Sequence, residues 1–173
     1  MKKSLALLMA VFLLLSVCGC FTGCGGDDGA YTVGICQLME HESLDQATQG
    51  FQDALKAEMD KAGKCVTIAV QVAGGVDLCT TVVNTFTAKR VDLIMANATP
   101  ALQAAMNATG FIPVLGTSVT DYATALGVTE GWTGTTGINV SGTSDLAPMD
   151  AQAAMIKELF PEAKKVGLLY CSG

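Results

Sequence analysis

Charged residues are scarce in this 173-residue chain, where Asp, Glu, Lys and Arg together make up 15% of the sequence. Ten Lys and Arg face sixteen Asp and Glu, for a formal net charge of −6. A chain without excess positive charge has little with which to hold a phosphate backbone, so we expect no nucleic-acid partner. Beyond the first 24 residues, no apolar run reaches the roughly 20 residues that a membrane-spanning helix needs.

Motifs for catalysis are also missing. The only histidine, His41, lies in HESLD, which lacks the second zinc ligand of the HExxH motif. No GxSxG motif is present, so a serine hydrolase has no nucleophile elbow. Gly74 and Gly75 lack the Lys-Ser/Thr of a phosphate-binding loop and the spacing of a dinucleotide fingerprint. We therefore predict a protein that is not an enzyme and uses no cofactor or metal.

The cysteines give no metal-binding pattern. Seven are present, and the four beyond residue 24 are widely spaced, without a CxxC pair or a Cys/His group. Cys36 and Cys171 each end an apolar run that is typical of a strand, which favours buried free thiols. A disulfide between Cys65 and Cys79 is the alternative, because export permits such bonds.

The first 23 residues form a predicted leader. A short basic start is followed by an apolar core of about 13 residues and then by small residues, as in a secretory signal peptide. Cys24, just after Thr22-Gly23, resembles the lipidated cysteine of bacterial lipoproteins, and Cys20 is the competing site. A plain signal peptide with spare cysteines is the alternative. Residues 24–30 are rich in Gly and Asp, which is typical of a flexible tether.

Beyond the tether, strand and helix patterns alternate. Short apolar runs predict strands at 31–36, 66–72, 91–96, 112–115, 138–140 and 166–170. Apolar residues at helical spacing predict helices at 44–62, 77–89, 99–108 and 148–160. Strands separated by helices of this length indicate βαβ units, and therefore an α/β fold with a Rossmann-like parallel sheet. We predict one lobe at 31–145 and the start of a second, truncated lobe at 146–173.

Polar residues follow several of these strands, where a parallel sheet binds its ligands. The loop after the first strand contains Glu40 and His41, Thr99 opens the helix after the third strand, and Ser118 to Asp121 follow the fourth. Helix N-termini offer free N–H groups to a carboxylate. The set therefore suits a small zwitterion, with hydroxyl and backbone donors for its carboxylate and an acidic side chain for its ammonium.

Five blocks occur in a characteristic order: QLMEHESLDQATQGFQDAL, VDLIMANATPALQAA, IPVLGTSVTD, TGINVSGTSDLAP and AAMIKELFPEAKKVGLLY. From about Tyr31 to Gly173 they resemble the substrate-binding proteins of ABC transporters, which have the type I periplasmic-binding-protein fold. The resemblance is strongest to the branch that includes tryptophan- and tyrosine-binding lipoproteins. It implies two α/β lobes that trap a ligand in the cleft between them.

The resemblance also implies which residues bind the ligand. The matching positions are Gln37, Glu40, His41, Thr99, Ser118, Thr120, Asp121, Ser144 and Asp145. Ser118 and Thr99 are expected to make carboxylate or backbone-polar contacts, and Glu40 or Asp121 is expected to contact an ammonium. Trp132 and Tyr122 are the aromatic candidates for stacking on the ligand, and packing within its own loop is the alternative for Trp132.

Several of these polar residues have a structural alternative. Asp45 and Asp77 are expected to cap helices. Thr99 can cap the third helix, and Asp121 can bond within its own loop.

The predicted function is extracytoplasmic capture of a small ligand by a lipid-anchored protein of the cell membrane. An amino acid is expected, with aromatic ones as candidates, and an ABC permease in the membrane is the expected partner. One alternative is a surface receptor or adhesin with the same fold. Another is a sugar- or nucleoside-binding protein, although aromatic residues are only 6% of the chain.

Overall fold

The structure, a computed structural model, describes residues 30–128 and 132–169. The strands are β1 (Tyr31–Gln37), β2 (Val66–Val72), β3 (Leu93–Asn97), β4 (Val114–Val119) and β5 (Val140–Ser144). The helices are α1 (Glu42–Lys61), α2 (Val76–Ala88), α3 (Thr99–Ala108), α4 (Tyr122–Ala125) and α5 (Met149–Leu159). The predicted leader, both candidate lipidation sites and Cys171 lie outside the described residues.

The five strands form one parallel sheet in the order β2-β1-β3-β4-β5. This arrangement confirms the predicted α/β fold. Parallel strands need long crossover connections, and α1, α2 and α3 supply them. All five carboxyl ends therefore lie at one edge of the sheet, which we call the carboxyl edge; the opposite edge is the amino edge.

The helix α1 packs on one face of the sheet. Val33, Ile35 and Met95 are buried there against Phe51 and Leu55 of α1. The helix ends at Lys61, and Gly63 just beyond its last turn takes a left-handed conformation with φ of 65°, which is common at helix C-termini.

The helices α2 and α3 cover the opposite face. Alternation along β1 turns Gly34 and Cys36 toward these helices. A Cβ atom on Gly34 would lie within 2.8 Å of three ring atoms of Phe86, which is fully buried. The glycine thus lets α2 approach β1 closely, and this contact sets where the helix crosses the strand.

Three strands begin later than predicted. β3 starts at Leu93 rather than residue 91, and β4 starts at Val114 rather than residue 112. Proline has no N–H to donate, and Pro113 contributes only its carbonyl, to Ile94 N at 3.0 Å. β5 starts at Val140 rather than at residue 138. Just before it, the carbonyl of Asn139 accepts from Val114 N at 2.8 Å, and the Asn139 side chain donates to the carbonyls of Thr109 and Ile112 at 3.0 and 2.7 Å.

The three predicted helix caps are wrong. α2 begins after Gly75, so Asp77 lies inside its first turn. α1 is capped by His41, which leaves Asp45 in the first turn. α3 follows Ala98, and neither Gly75 nor Ala98 makes a side-chain cap bond. Each carboxylate or hydroxyl lies one or more positions inside the helix, where an N-cap bond is not available.

Residues 145–169 lie outside the sheet. The predicted helix at 148–160 is confirmed as α5, but none of its residues is buried. The predicted strand at 166–170 is wrong for residues 166–169, which are irregular and exposed, and Tyr170 lies outside the described residues. A strand needs a neighbour to satisfy its backbone, and no described strand pairs with this segment.

Among the described residues, no helix has the length and apolar character that crossing a membrane requires.

Candidate functional site

The carboxyl edge gathers all nine predicted ligand-binding residues. Gln37 and Ser144 are the last residues of β1 and β5, and Ser118 lies near the end of β4. The others, namely Glu40, His41, Thr99, Thr120, Asp121 and Asp145, belong to the connections that leave these strands. Because the sheet is parallel, these residues share one edge although they span more than 100 positions in sequence. Their contact with a ligand stays a prediction.

Gln37 is the centre of a buried hydrogen-bond network. Its Nε2 donates to Asp45 Oδ1 at 2.6 Å and to Met39 O at 2.8 Å, while Thr48 Oγ1 donates to Gln37 Oε1 at 2.6 Å. Only 1% of Gln37 is exposed, so its amide is committed to the protein. These bonds hold the loop that carries Glu40 and His41.

The same network reaches β3 through Asn97. Asn97 Nδ2 donates to Leu44 O at 2.8 Å and to Thr48 Oγ1 at 3.0 Å. Its Oδ1 is buried without a hydrogen-bond partner among the described residues. Sequence reasoning missed Thr48 and Asn97 as site residues. Thr48 could have been found from its position. It carries a hydroxyl directly after Ala47, between the apolar residues that bury one side of α1.

Glu40 and His41 are exposed at the carboxyl edge. His41 is extended, with φ of −160°, and its Nδ1 accepts a bond of 3.3 Å from Ser43 N at the start of α1. Glu40 is the acidic side chain beside it.

Two non-glycine residues at this edge have left-handed backbone conformations. Ala98, just after β3, has φ of 90° and ψ of 156°, a region that is populated almost only by glycine. Ser118 in β4 has φ of 54°. Ala98 N donates to Thr117 O at 3.0 Å, so the two strained turns are bonded neighbours. Strain of about 1–3 kcal/mol per residue persists where surrounding structure enforces it, which is common at binding sites.

Asp121 bonds within its own loop, which confirms that alternative. It caps α4 by accepting bonds from Thr124 N at 3.2 Å and Thr124 Oγ1 at 2.6 Å. The side-chain bond and then the backbone bond lower the pKa of this carboxyl, which keeps it negatively charged. It is exposed, so the charge is accessible to a cationic group.

The ends of β4 and β5 are joined by further bonds. Ser144 Oγ donates to Thr120 O at 2.8 Å and accepts from Leu146 N at 3.1 Å. Asp145 N donates to Val119 O at 3.2 Å. These bonds fix where the chain leaves the sheet toward α5.

A cavity of about 320 Å³ lies beside these two strand ends. Its lining includes Thr120, Asp121, Ser144, Tyr122, Trp132 and Leu146. Three predicted ligand-binding residues thus share one cavity with both aromatic candidates. The volume is at the lower end of the range for small-molecule sites.

Tyr122 projects between two glycines at this cavity. A Cβ atom on Gly116 or on Gly142 would overlap the Tyr122 hydroxyl. Burial raises the pKa of Tyr122, the charge of Asp145 raises it further, and the nearby Thr143 backbone partly offsets both. Even so, the hydroxyl has no partner with hydrogen-bond geometry among the described residues. The sequence alone gives no sign of this contact between Tyr122 and the two glycines.

Among the described residues, no three His, Cys, Asp or Glu side chains lie close enough together to hold a metal ion. The arrangement instead offers hydroxyls, backbone donors and carboxylates around a small cavity, which suits non-covalent binding of a polar molecule.

Several known proteins resemble this chain in both sequence and fold. The model of the family described as "ABC transporter substrate binding protein" matches residues 32–173. A tyrosine-binding protein of Clostridioides difficile (strain R20291) is 39% identical over 185 residues, covering 98% of this chain and 52% of that protein. The chain thus spans about half the length of this relative.

Two solved structures resemble the chain. A ligand-free, open substrate-binding protein with adhesive properties from Clostridium difficile is 38% identical, with a TM-score of 0.68 over 78% of this chain and 45% of the other. An ABC domain in complex with L-Trp from Streptococcus pneumonia is 32% identical, with a TM-score of 0.67 over 77% and 44%. This chain belongs to the ABC transporter substrate-binding protein family.

Proposed function

We propose that this chain forms the ligand-binding first lobe of an extracytoplasmic lipoprotein that captures an amino acid for an ABC importer. The leader at 1–23 directs export, Cys24 or Cys20 receives the lipid, and the tether at 24–30 joins it to the lobe at 31–145. Residues 146–173 begin a second lobe. The exposed apolar residues of α5, including Met155 and Leu159, favour this last assignment because they would pack in a further core.

The strained pair at the ends of β3 and β4 is the observation that carries the proposal. Ala98 and Ser118 redirect the backbone at the carboxyl edge, where ligands of parallel α/β proteins bind. Thr99 begins α3 directly after this turn, so its N–H is one of the unpaired donors of a helix N-terminus. The proposed ligand carboxylate lies against Thr99 and Ser118.

The ligand's ammonium is assigned to Glu40 or Asp121. Both carboxylates are exposed at the same edge, and the hydrogen bonds from Thr124 lower the pKa of Asp121, which favours its charged form. Tyr122 and Trp132 at the neighbouring cavity supply aromatic surface for a ligand side chain. That relatives carry the names tyrosine-binding protein and L-Trp complex favours an aromatic amino acid.

Delivery requires no chemistry in this proposal. Ligand that contacts both lobes stabilises a closed form, and a membrane permease recognises that form. The conformational change is then a population shift whose size is set by the difference in ligand affinity between the open and closed forms.

A thermal-shift screen tests the proposal. The protein is produced without residues 1–23, retaining whatever the gene encodes after residue 173, and is mixed with each of twenty amino acids, sugars and nucleosides. Ligand at about 100 times its dissociation constant adds about 2.7 kcal/mol of stability. A rise limited to a few amino acids supports the proposal, whereas a rise with a sugar or nucleoside alone retains the fold and changes the ligand class.

Carboxylate variants then test the site. Glu40→Gln and Asp121→Asn remove the proposed counter-charges, and one of them should weaken binding about tenfold or more, because an ammonium loses a charged partner. Gln37→Glu is not a suitable control, since it disturbs the buried network. Asp53→Asn, on the exposed part of α1, is the matched control. Unchanged affinity in both site variants would reject the ammonium assignment.

Adhesion is the second candidate function, favoured by the adhesive properties named for the solved relative of C. difficile. It requires binding of the purified protein to the surface of other cells without any free amino acid. A permease and an ATPase encoded beside this gene would argue for import instead.

A further inference from the structure

Two buried thiols face each other just below the carboxyl edge. Cys36 is the second-last residue of β1, and Cys79 lies in the first turns of α2; neither is exposed to solvent. Both are free thiols in the structure and belong to the same core cluster. The proposed function uses neither of them.

The packing of α2 on β1 brings these two residues together. Phe86 of α2 lies over Gly34 of β1, as their close approach shows. Cys36 is two residues from Gly34 and shares its face of the strand. Cys79 is seven residues, or two turns, from Phe86 and shares its side of the helix. Because α2 runs antiparallel to β1, these offsets place the two sulfurs opposite each other.

The ionisation of the thiols agrees with this geometry. Burial first, then the charge of Cys79 and a hydrogen bond with it, raise the pKa of Cys36 to about 12. Burial also raises the pKa of Cys79, although hydrogen bonds from Cys36 and its own backbone act in the opposite direction. Cys79 Sγ in addition lies 3.5 Å from Gly75 O. Thiolate is the form that reacts, so both cysteines are slow to react once the protein is folded.

We propose that Cys36 and Cys79 are a disulfide pair, closed by thiol–disulfide exchange while the protein folds in an oxidising compartment. One thiolate attacks the disulfide of a small-molecule or protein oxidant and releases one thiol. The second cysteine then attacks the mixed disulfide and releases the other thiol. The protein loses two protons and two electrons, and the oxidant is reduced to two thiols. The export in the proposed function supplies the oxidising compartment; the chemistry itself does not require it.

This bond would reinforce the start of α2 against the end of β1. The connection after β2 is already joined to the connection after β1 through Ala73 N to Gln37 O at 2.8 Å and Gly74 N to Leu38 O at 2.9 Å. Closing 42 intervening residues restricts the unfolded chain, which is how a disulfide stabilises a fold. Burial would then shield the bond from reductants.

The alternative pairing of Cys65 with Cys79 is wrong. Cys65 is already disulfide-bonded in the structure, whereas Cys79 there still carries its thiol, so the residue bonded to Cys65 is not Cys79. Cys65 precedes β2 at the amino edge, where its carbonyl accepts from Tyr31 N at 2.9 Å. Cys79 follows β2 at the opposite edge, about 20 Å away for a seven-residue strand.

Peptide mapping tests the pair. The chain without its leader is refolded with oxidised glutathione, its remaining thiols are alkylated in denaturant, and it is cleaved on the N-terminal side of Asp. This cleavage places Cys36, Cys65 and Cys79 on separate peptides, 28–44, 60–76 and 77–91. A linked 28–44/77–91 peptide is expected. Alkylation of both Cys36 and Cys79, or a link from Cys79 to Cys65, would overturn the proposal.

A stability comparison gives a second readout. In a Cys65→Ser background, the oxidised protein should melt at a higher temperature than the same protein with dithiothreitol. The further change Cys36→Ala should abolish this difference. An equal response to reductant with and without Cys36 would show that another bond is responsible. Neither test involves an amino-acid ligand, so their failure leaves the proposed binding function intact.

Discussion

A Gly116→Ala substitution should destabilise the protein through one atom, the hydroxyl of Tyr122. The new Cβ would overlap that oxygen, whereas its next neighbours, Leu102 Cδ1 and Tyr122 Cζ, lie 3.2 Å away. Gly116 is not among the positive-φ glycines, so the backbone tolerates alanine. Overpacking of this kind costs about 1–3 kcal/mol.

The companion change Tyr122→Phe removes the hydroxyl that causes the overlap. That hydroxyl is buried without a hydrogen-bond partner among the described residues, so its loss should not destabilise the fold. In this background Gly116→Ala should cost less than about 1 kcal/mol. The expected coupling is therefore about 1–2 kcal/mol, within the range for residues in direct contact.

Urea unfolding of the wild type, both single variants and the double variant measures this coupling. Gly110→Ala is the control, because a Cβ atom added at Gly110 would have no neighbouring atom within 4 Å. It should change the free energy of unfolding by no more than about 0.5 kcal/mol. Additive effects of Gly116→Ala and Tyr122→Phe would refute the placement of Tyr122 between the glycines.

Two further predictions concern the fold and its response to acid. Gly34→Ala should lower the free energy of unfolding by about 1–3 kcal/mol, because its Cβ would meet the Phe86 ring. Gly50→Ala in the exposed middle of α1 should instead raise it by about 0.5–1 kcal/mol, because alanine favours a helix more than glycine does. Denaturant titration compares the two, and equal effects would contradict the packing of α2 on β1. Hydrogen bonds from Thr32 N and Oγ1 lower the pKa of Asp92 in the folded protein. The ionised carboxylate therefore stabilises the fold above the ordinary Asp pKa, and this stabilisation is lost as the pH falls through the lowered pKa. Asp92→Asn should therefore flatten the fall of melting temperature between about pH 5 and pH 2, and parallel curves for the two proteins would count against this role.

Sequence periodicity predicted the order and type of elements well because most strands and helices bury one consistent face. Apolar runs at 31–36 and 66–72 became β1 and β2, and the stripe around Phe51 became one side of α1. Boundaries were less predictable where a side chain, rather than an apolar pattern, decided them. His41 is an example, since its side chain caps α1, which therefore begins at Glu42 rather than at the predicted residue 44.

The candidate site was predictable in location but not in detail. Polar residues that follow strands must meet at one edge of a parallel sheet, and the predicted positions do so. The Gln37 network was not predictable, because it joins residues up to 60 positions apart whose pairing depends on how α1 packs. The backbone of Ala98 was also hidden, since alanine gives no signal for a conformation that glycine normally occupies.

The segment at 166–169 shows a limit of local patterns. Its run of Val, Leu and Leu is typical of a strand, but a strand forms only beside a partner that completes its hydrogen bonds. The described residues contain no such partner for it.

The most direct test of whether the carboxyl edge binds an amino acid is an NMR titration. Backbone amide shifts are mapped while L-tyrosine or L-tryptophan is added. We expect saturable shifts concentrated at Glu40, Thr99 and residues 118–121, with the amino edge near Cys65 and Phe111 unchanged. Saturable shifts confined to the amino edge, or none with any amino acid, would contradict this expectation.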